Sequence, residues 1–261
     1  MFKKKEINII FKGGLGNQIF QYAFYKFLLK FYKIKFNFFF KKLEKNFLLN
    51  NKINQREYCL DKYLKKKFFK INLKYNDNVF LSRCEKIISY LLKKNIFLPL
   101  STYDGYWQDN FFAENVSQHD FDPSVLQRPQ NLPCNYYILH YRGGDFFNSK
   151  SHHVLSFKYY IFNIKKFTDL PIFAISDDLF NLRKILKKIN LKITIYQCDE
   201  KDAFRAIYNA KGGITSNSTF AWWPIYISKN KNWIFPLQWL KNKNIYQSNL
   251  FIPSTQVSNI N

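Results

Sequence analysis

The chain is poor in cysteine, arginine and acidic residues, and each shortage excludes something. Four of its 261 residues are cysteine, at positions 59, 84, 134 and 198. They form no CxxC pair and their spacings are wide, which argues against a structural zinc site and against a disulfide scaffold. Reduced thiols in a cytosolic protein are the expected state. HExxH and paired-histidine spacings are also missing, and no metal is expected. Long hydrophobic runs are missing too. The start, Met1-Phe2-Lys3-Lys4-Lys5, resembles a signal n-region, but the apolar stretch 7–11 is short, contains Asn8 and is followed by Lys12 and glycines. No secretory signal is expected from it. The long uncharged run between Lys211 and Lys229 carries Gly, Thr, Ser, Asn and Pro and does not read as a membrane span. No internal repeat is visible.

Acidic residues number 18 against 41 basic ones, a formal net charge of +23. That balance suits nucleic acid, an anionic membrane surface or a phosphorylated substrate. Only six of the basic residues are Arg, whose planar fork reads bases and phosphates better than an ammonium does, so the nucleic-acid reading weakens. The lysines accompany many Asn, Ile, Phe and Tyr along the whole chain, a pattern like AT-rich codon usage. What is abundant is apolar: 47% of residues are hydrophobic and 20% aromatic, which excludes a disordered chain and supplies a sizeable core.

Periodicity places elements along this material. Residues 7–11 read as a strand, 13–16 as a glycine turn, and Ile19, Phe20, Ala23, Phe24, Phe27, Leu28 and Phe31 recur at helical spacing, with Asn17 as the expected N-cap. Segments 62–74 and 87–94 read as amphipathic helices with basic faces, able to dock on an anionic inner membrane or simply to be solvated. Pro123 and the stretch 129–133 break the pattern, and a domain boundary is expected at 130/131. Beyond it strands and helices alternate: strands at 136–141, 171–175, 193–196 and 213–215, helices at 157–167, 179–189 and 202–210, and a short helix after residue 219. This order predicts an α/β fold with a mostly parallel, Rossmann-like sheet, which binds ligands at the carboxyl ends of its strands.

Polar clusters fall at those ends. Gly13-Gly14-Leu15-Gly16-Asn17-Gln18 suits backbone approach to an anion at a helix start, and equally suits a tight turn. In His140-Tyr141-Arg142-Gly143-Gly144-Asp145, strand alternation puts His140 and Arg142 on one face. Arg142 suits a bidentate phosphate contact and Asp145 could orient it or take a proton; a plain Arg–Asp pair is the alternative. Ser216, Asn217, Ser218 and Thr219 at a strand-to-helix junction read as a phosphate cradle or as caps over an aromatic helix, with Trp222 and Trp223 in the core. Asp177 and Asp178 suit a helix cap. Asp202 suits a base edge or a cap. His152 and His153 are expected in a solvated loop.

Taken in order, these segments resemble the bacterial α-1,2-fucosyltransferases of glycosyltransferase family 11. The first cluster, with Ile19, Phe20, Gln21, Tyr22, Ala23 and Phe24, is similar to the family's GGLGNQxFQYAF. Arg56-Glu57-Tyr58-Cys59-Leu60 resembles its ReyeL and Asp104-Gly105-Tyr106-Trp107-Gln108 its DGYWQ. The cluster from His140 to Asp145 resembles HxRRGD, Ser176-Asp177-Asp178 its SDD, Ser216 to Trp223 its SNSTFSWW, and Pro236 with Trp239 its P-x-x-W. The match runs from about residue 7 to 240. One departure stands out: Gly143 occupies the place of the second Arg.

The resemblance implies a GT-B-like pair of Rossmann-like domains facing a cleft, with an acceptor-side domain at 1–130 and a GDP-fucose-binding domain at 131–261. It implies inverting, metal-independent transfer of L-fucose from GDP-fucose to the 2-hydroxyl of a β-galactoside in a surface glycan, with no cofactor. Arg142, Asp145 and His140 would be the catalytic group. Gly14, Gly16, Asn17, Asp177, Asp202, Ser216, Asn217, Ser218 and Thr219 would bind the donor, with Asp202 reading guanine; Asp145 and Asp109 are the candidate bases. The expected location is the bacterial cytoplasm, with peripheral inner-membrane contact and a galactose-containing, lipid-linked acceptor. Another nucleotide-sugar transferase on the same scaffold, and a basic nucleic-acid-binding protein, are the competing expectations.

Overall fold

The structure is a computed structural model that describes residues 6–41, 56–67, 71–72, 84–98, 100–241, 250, 252 and 255–258. The chain forms two compact units, Met1–Asp122 and Pro123–Asn261, a division somewhat before the expected 130/131. Both are α/β and both sheets are parallel throughout.

In the first unit, β1 (Ile7–Lys12) lies between β2 (Phe36–Lys41) and β4 (Thr102–Tyr103), with β3 (Ile71–Asn72) outside β2. A central parallel strand is covered on both faces, so an unbroken apolar run belongs there. Ile7, Ile9, Ile10 and Phe11 are accordingly buried. Gly13 adopts φ +78°, and α1 (Leu15–Leu29) follows at once. The expected N-cap at Asn17 is corrected: the helix begins at Leu15, Gly14 holds the cap position, and the N–H groups of Asn17 and Gln18 already donate to the Gly14 carbonyl at 3.0 and 3.1 Å. The helix starts early because two fully buried glutamines hold the turn. Gln18 donates to the carbonyls of Gly13 and Glu57 and accepts from the N–H groups of Cys59 and Leu60. Gln21 accepts from the N–H of Lys12 and donates to the Lys12 and Gly105 carbonyls.

Helix α2 (Glu85–Lys93) matches the expected basic amphipathic segment. The helix expected over 62–74 does not form in its described part. Leu60–Lys62 is one 3-10 turn, Leu64 bridges to Phe121, and Ile71–Asn72 joins the sheet as β3; residues 68–70 and 73–74 lie outside the described residues. Buried Tyr63 and Leu64 pack as neighbours into the core, and that tertiary pairing overrides helical spacing. Trp107, buried and at φ +53°, stacks on Phe24 at 3.9 Å. Glu85 holds it there by accepting from the N–H groups of Tyr106 and Trp107 at 2.9 and 2.5 Å, and burial pushes the Glu85 carboxyl up. Asp109 caps the short helix α3 (Asn110–Ala113) and pairs with Lys93.

In the second unit the strand order is β10-β9-β8-β5-β6-β7. The strands are β5 (Tyr137–Tyr141), β6 (Ile172–Ser176), β7 (Ile193–Ile195), β8 (Gly213–Ile214), β9 (Trp233–Pro236) and β10 (Gln256–Ser258). All five residues of β5 are buried. Helices α4 (Phe157–Ile164) and α5 (Leu179–Leu186) bring Tyr159, Tyr160, Ile164 and Leu182 to a core shared with Leu139 and Tyr141. On the other face Tyr136 donates to the Ala206 carbonyl of α6 (Glu200–Asn209) at 2.8 Å. Helix α7 (Thr219–Ser228) buries Trp222 and Trp223 completely, as expected. The chain leaves β5 toward β6 and β7, then returns to the opposite side of β5 for β8. The crossover point therefore lies between β5 and β8, where open parallel sheets leave a crevice.

Candidate anion site at the carboxyl ends of β5, β6 and β8

The second unit brings several of the expected residues together at that crossover. Arg142 leaves the end of β5 and pairs with Asp145 at 2.6 Å and with Asp177, beyond the end of β6, at 2.9 Å. Asp177 also accepts from the N–H of Gly143 at 3.0 Å. The guanidinium lies 5.2 Å from the centre of the Phe146 ring, and Phe146 stacks on His152 at 4.6 Å. The Arg142 side chain is 18% exposed, Asp177 27% and Asp145 52%. The cation thus sits at a rim, held by two carboxylates whose combined charge exceeds its own. Of the two, Asp145 is the more solvated.

Gly143 has a structural reason in this geometry. A Cβ there would lie 2.6 Å from Asp178 Oδ2 and 3.0 Å from both Asp178 Cβ and the Tyr141 ring. Asp178 is itself fixed, because it caps α5 by accepting from the Asn181 N–H at 3.1 Å. The close approach of the β5 and β6 ends leaves no room for a second arginine in this conformation.

His140 is fully buried and exchanges a 3.0 Å hydrogen bond with Ser216, which ties the ends of β5 and β8 together. Burial holds its pKa down at about 3, and the Arg142 charge adds to this. The geometry gives His140 a positioning role rather than contact with a reacting atom. The unfolded chain takes up this proton near pH 6.5 and the folded chain only near pH 3. Its contribution to stability is therefore present above pH 6.5 and falls by about 1.4 kcal/mol per pH unit on acidification below that. Chemical denaturation at pH 7, 6 and 5 is expected to show this slope, and His140→Gln to remove it; equal slopes in both proteins would refute it.

Ser216, Asn217 and Ser218 are buried, and Ser218 holds the N-cap position of α7 without a capping bond from its hydroxyl. Asn217 donates to the carbonyls of His153 and Trp239, at 3.1 and 2.7 Å, and so anchors the loop. Thr219 is half-exposed at the helix start. Tyr159 donates to the Thr215 carbonyl at 2.8 Å and pins the end of β8 from below. The ten-residue α7 points its N-terminus at this junction, an orientation that favours anions.

Other expectations fare differently. Asp202 does not cap α6: Asp199 does, and Asp202 pairs with Arg205 at 2.7 Å. Arg205 in turn donates to the Gln127 carbonyl, so the pair staples the start of this unit to α6. Gly14, Gly16 and Asn17 belong to the first unit. Gly16 is buried in the first turn of α1, Gly14 lies against the Arg56 guanidinium, and Asn17 accepts from Gln108 at 2.8 Å. His152 and His153 are not solvated as expected. Both are half-buried, burial lowers both pKa values, and His152 bonds to Ser149 and Ser151. The Phe146–His152 stack had no signal in the sequence, because no periodicity links the two positions.

The four cysteines are free, and among the described residues no group of three His, Cys, Asp or Glu is placed to hold a metal ion. What fold and site together define is an α/β protein of two parallel-sheet units, the second with an arginine at the ends of β5 and β6 and a helix N-terminus after the adjoining β8. Compared with models of known protein families, with curated proteins and with solved structures, the chain finds no match.

Proposed function

We propose that the protein is an inverting fucosyltransferase that moves L-fucose from GDP-fucose to the 2-hydroxyl of a β-galactoside in a surface glycan. The observation that carries this reading is that adjoining strand ends carry Arg142, at the end of β5 and paired toward β6, and Ser216, at the end of β8 where α7 starts and bonded to His140 of β5. These residues come from two of the motifs on which the family resemblance rests. In this reading the second unit binds the donor, the first unit takes the acceptor, and the two form a GT-B-like pair facing a cleft. The enzyme works in the bacterial cytoplasm.

The chemistry follows from the groups present. Diphosphate takes over Arg142 from Asp145 while Asp177 continues to orient the guanidinium. The acceptor hydroxyl forms its bond to the fucose anomeric carbon as the bond to the diphosphate breaks, and GDP leaves with the electron pair. Arg142 and the N-terminus of α7 stabilise the charge that develops on it. Asp145, freed from Arg142, accepts the hydroxyl proton. Asp109 is less suited to that task, being 7% exposed and engaged as a cap and with Lys93.

Incubation with a panel of nucleotide sugars and galactosides, with linkage analysis of the product, tests this directly. The expected result is an α-1,2-fucosylated galactoside formed from GDP-fucose and undiminished in excess chelator. Transfer from a different nucleotide sugar alone, or strict dependence on added divalent metal, would overturn it.

A further inference from the structure

One face of the first unit is built unlike a water-facing surface. Helix α2 buries Ile88 and Leu92 and turns Ile87 and Tyr90 outward, each 62% exposed. Ile96, 50% exposed, follows in the turn after the helix, where its N–H donates to the Leu91 carbonyl at 2.9 Å. The next residue, Phe97, meets Phe31 at 4.4 Å and so joins the end of α1 to this segment. There Leu29 and Phe31 are 42% and 45% exposed. Single exposed apolar side chains are ordinary, whereas several on adjoining segments mark a contact surface. Lysines alternate with them: Lys30, Lys33, Lys86 and Lys94 are all exposed.

We propose that the Ile87–Tyr90–Ile96 face, with its flanking lysines, docks the protein peripherally on an anionic lipid bilayer. The occupant follows from charge and shape. Apolar side chains and a tyrosine enter the headgroup boundary while the lysine stems let their ammonium groups stay at anionic phosphates. A second copy would bring lysines against lysines on chains of net charge +23. Among the described residues no helix is long and apolar enough to cross a membrane, and the nine-residue α2 has the length to lie in the interface plane. This places the contact on α2 and the end of α1. The Lys-rich stretch 62–74, also expected to dock, has no helix in its described part.

The test is flotation of the full chain with phosphatidylcholine vesicles, with and without phosphatidylglycerol. It does not depend on glycosyl transfer, so its outcome and that of the fucosyltransferase reading are independent. Wild type is expected to float with the anionic vesicles and not with phosphatidylcholine alone. Ile87→Ser/Tyr90→Ser leaves the charge unchanged and is expected to weaken partitioning about tenfold. Lys86→Gln/Lys94→Gln is expected to weaken it about tenfold or more. Circular dichroism of both variants should match wild type, because the substituted side chains are exposed. Failure of wild type to float with anionic vesicles would overturn the proposal. So would a double serine variant that floats like wild type, which would mean attraction by charge alone. Lipid-free self-association of wild type that the serine variant loses would assign the face to a second copy instead.

Discussion

Arg142→Ala is expected to lower kcat/KM for fucosyl transfer by about a thousandfold, the scale seen when a group stabilising developing charge is removed. Folding should survive the change. The side chain sits at the rim, 18% exposed, and its ionic partners Asp145 and Asp177 are 52% and 27% exposed, so both can be solvated when it is gone. Those carboxylates then face the diphosphate with no cation between them, which deepens the loss. Arg142→Lys should fall between, because it restores charge without the planar fork. Steady-state kinetics beside thermal melts check this, and near-normal turnover in the alanine variant would remove Arg142 from the donor site.

Lys12→Met should have the largest effect on stability, about 3–5 kcal/mol of unfolding free energy. Lys12 ends β1 with its side chain 7% exposed, and its ammonium pairs at 2.6 Å with Asp104, whose side chain is fully buried. The Tyr106 ring lies 4.7 Å from the same ammonium, and Lys41 approaches the other Asp104 oxygen at 3.6 Å. Among the described residues, removing Lys12 leaves buried Asp104 with the longer Lys41 contact as its ion pair. Replacing both partners, Lys12→Met with Asp104→Leu, should recover most of the loss because no buried charge is then left uncompensated. Chemical denaturation followed by circular dichroism measures both. A single variant within about 1 kcal/mol of wild type would show that the pair does not hold the sheet.

Much of the fold was legible because it rests on local pattern. The apolar run at β1, the buried β5, and the alternation of strand and helix after residue 136 each follow from burial on both faces of a parallel sheet. The failures share a cause. The helix expected over 62–74 gave way to a turn, a bridge and a strand because Leu64 and Phe121 meet across the chain. Asn17 lost its cap role because Gln18 and Gln21, unremarkable by composition, each satisfy backbone groups on separate segments. Lys12 and Asp104 stand far apart in sequence, and nothing local marks them as partners.

The site divides the same way. His140 and Arg142 fall on one face by strand alternation, and Ser216 falls at a strand end, so the sequence alone nominates them. The pairing of His140 with Ser216, the sharing of Arg142 between Asp145 and Asp177, and the room that Gly143 leaves for Asp178 depend on which strand ends lie side by side. By itself the sequence determined the α/β alternation, the parallel sheets and the chemical types at the strand ends, because these depend on spacing along one strand or helix. Only the tertiary structure decided which of those groups meet and which are buried. Long-range contacts place a carboxylate on an arginine or withdraw a histidine from water, and no periodicity records them.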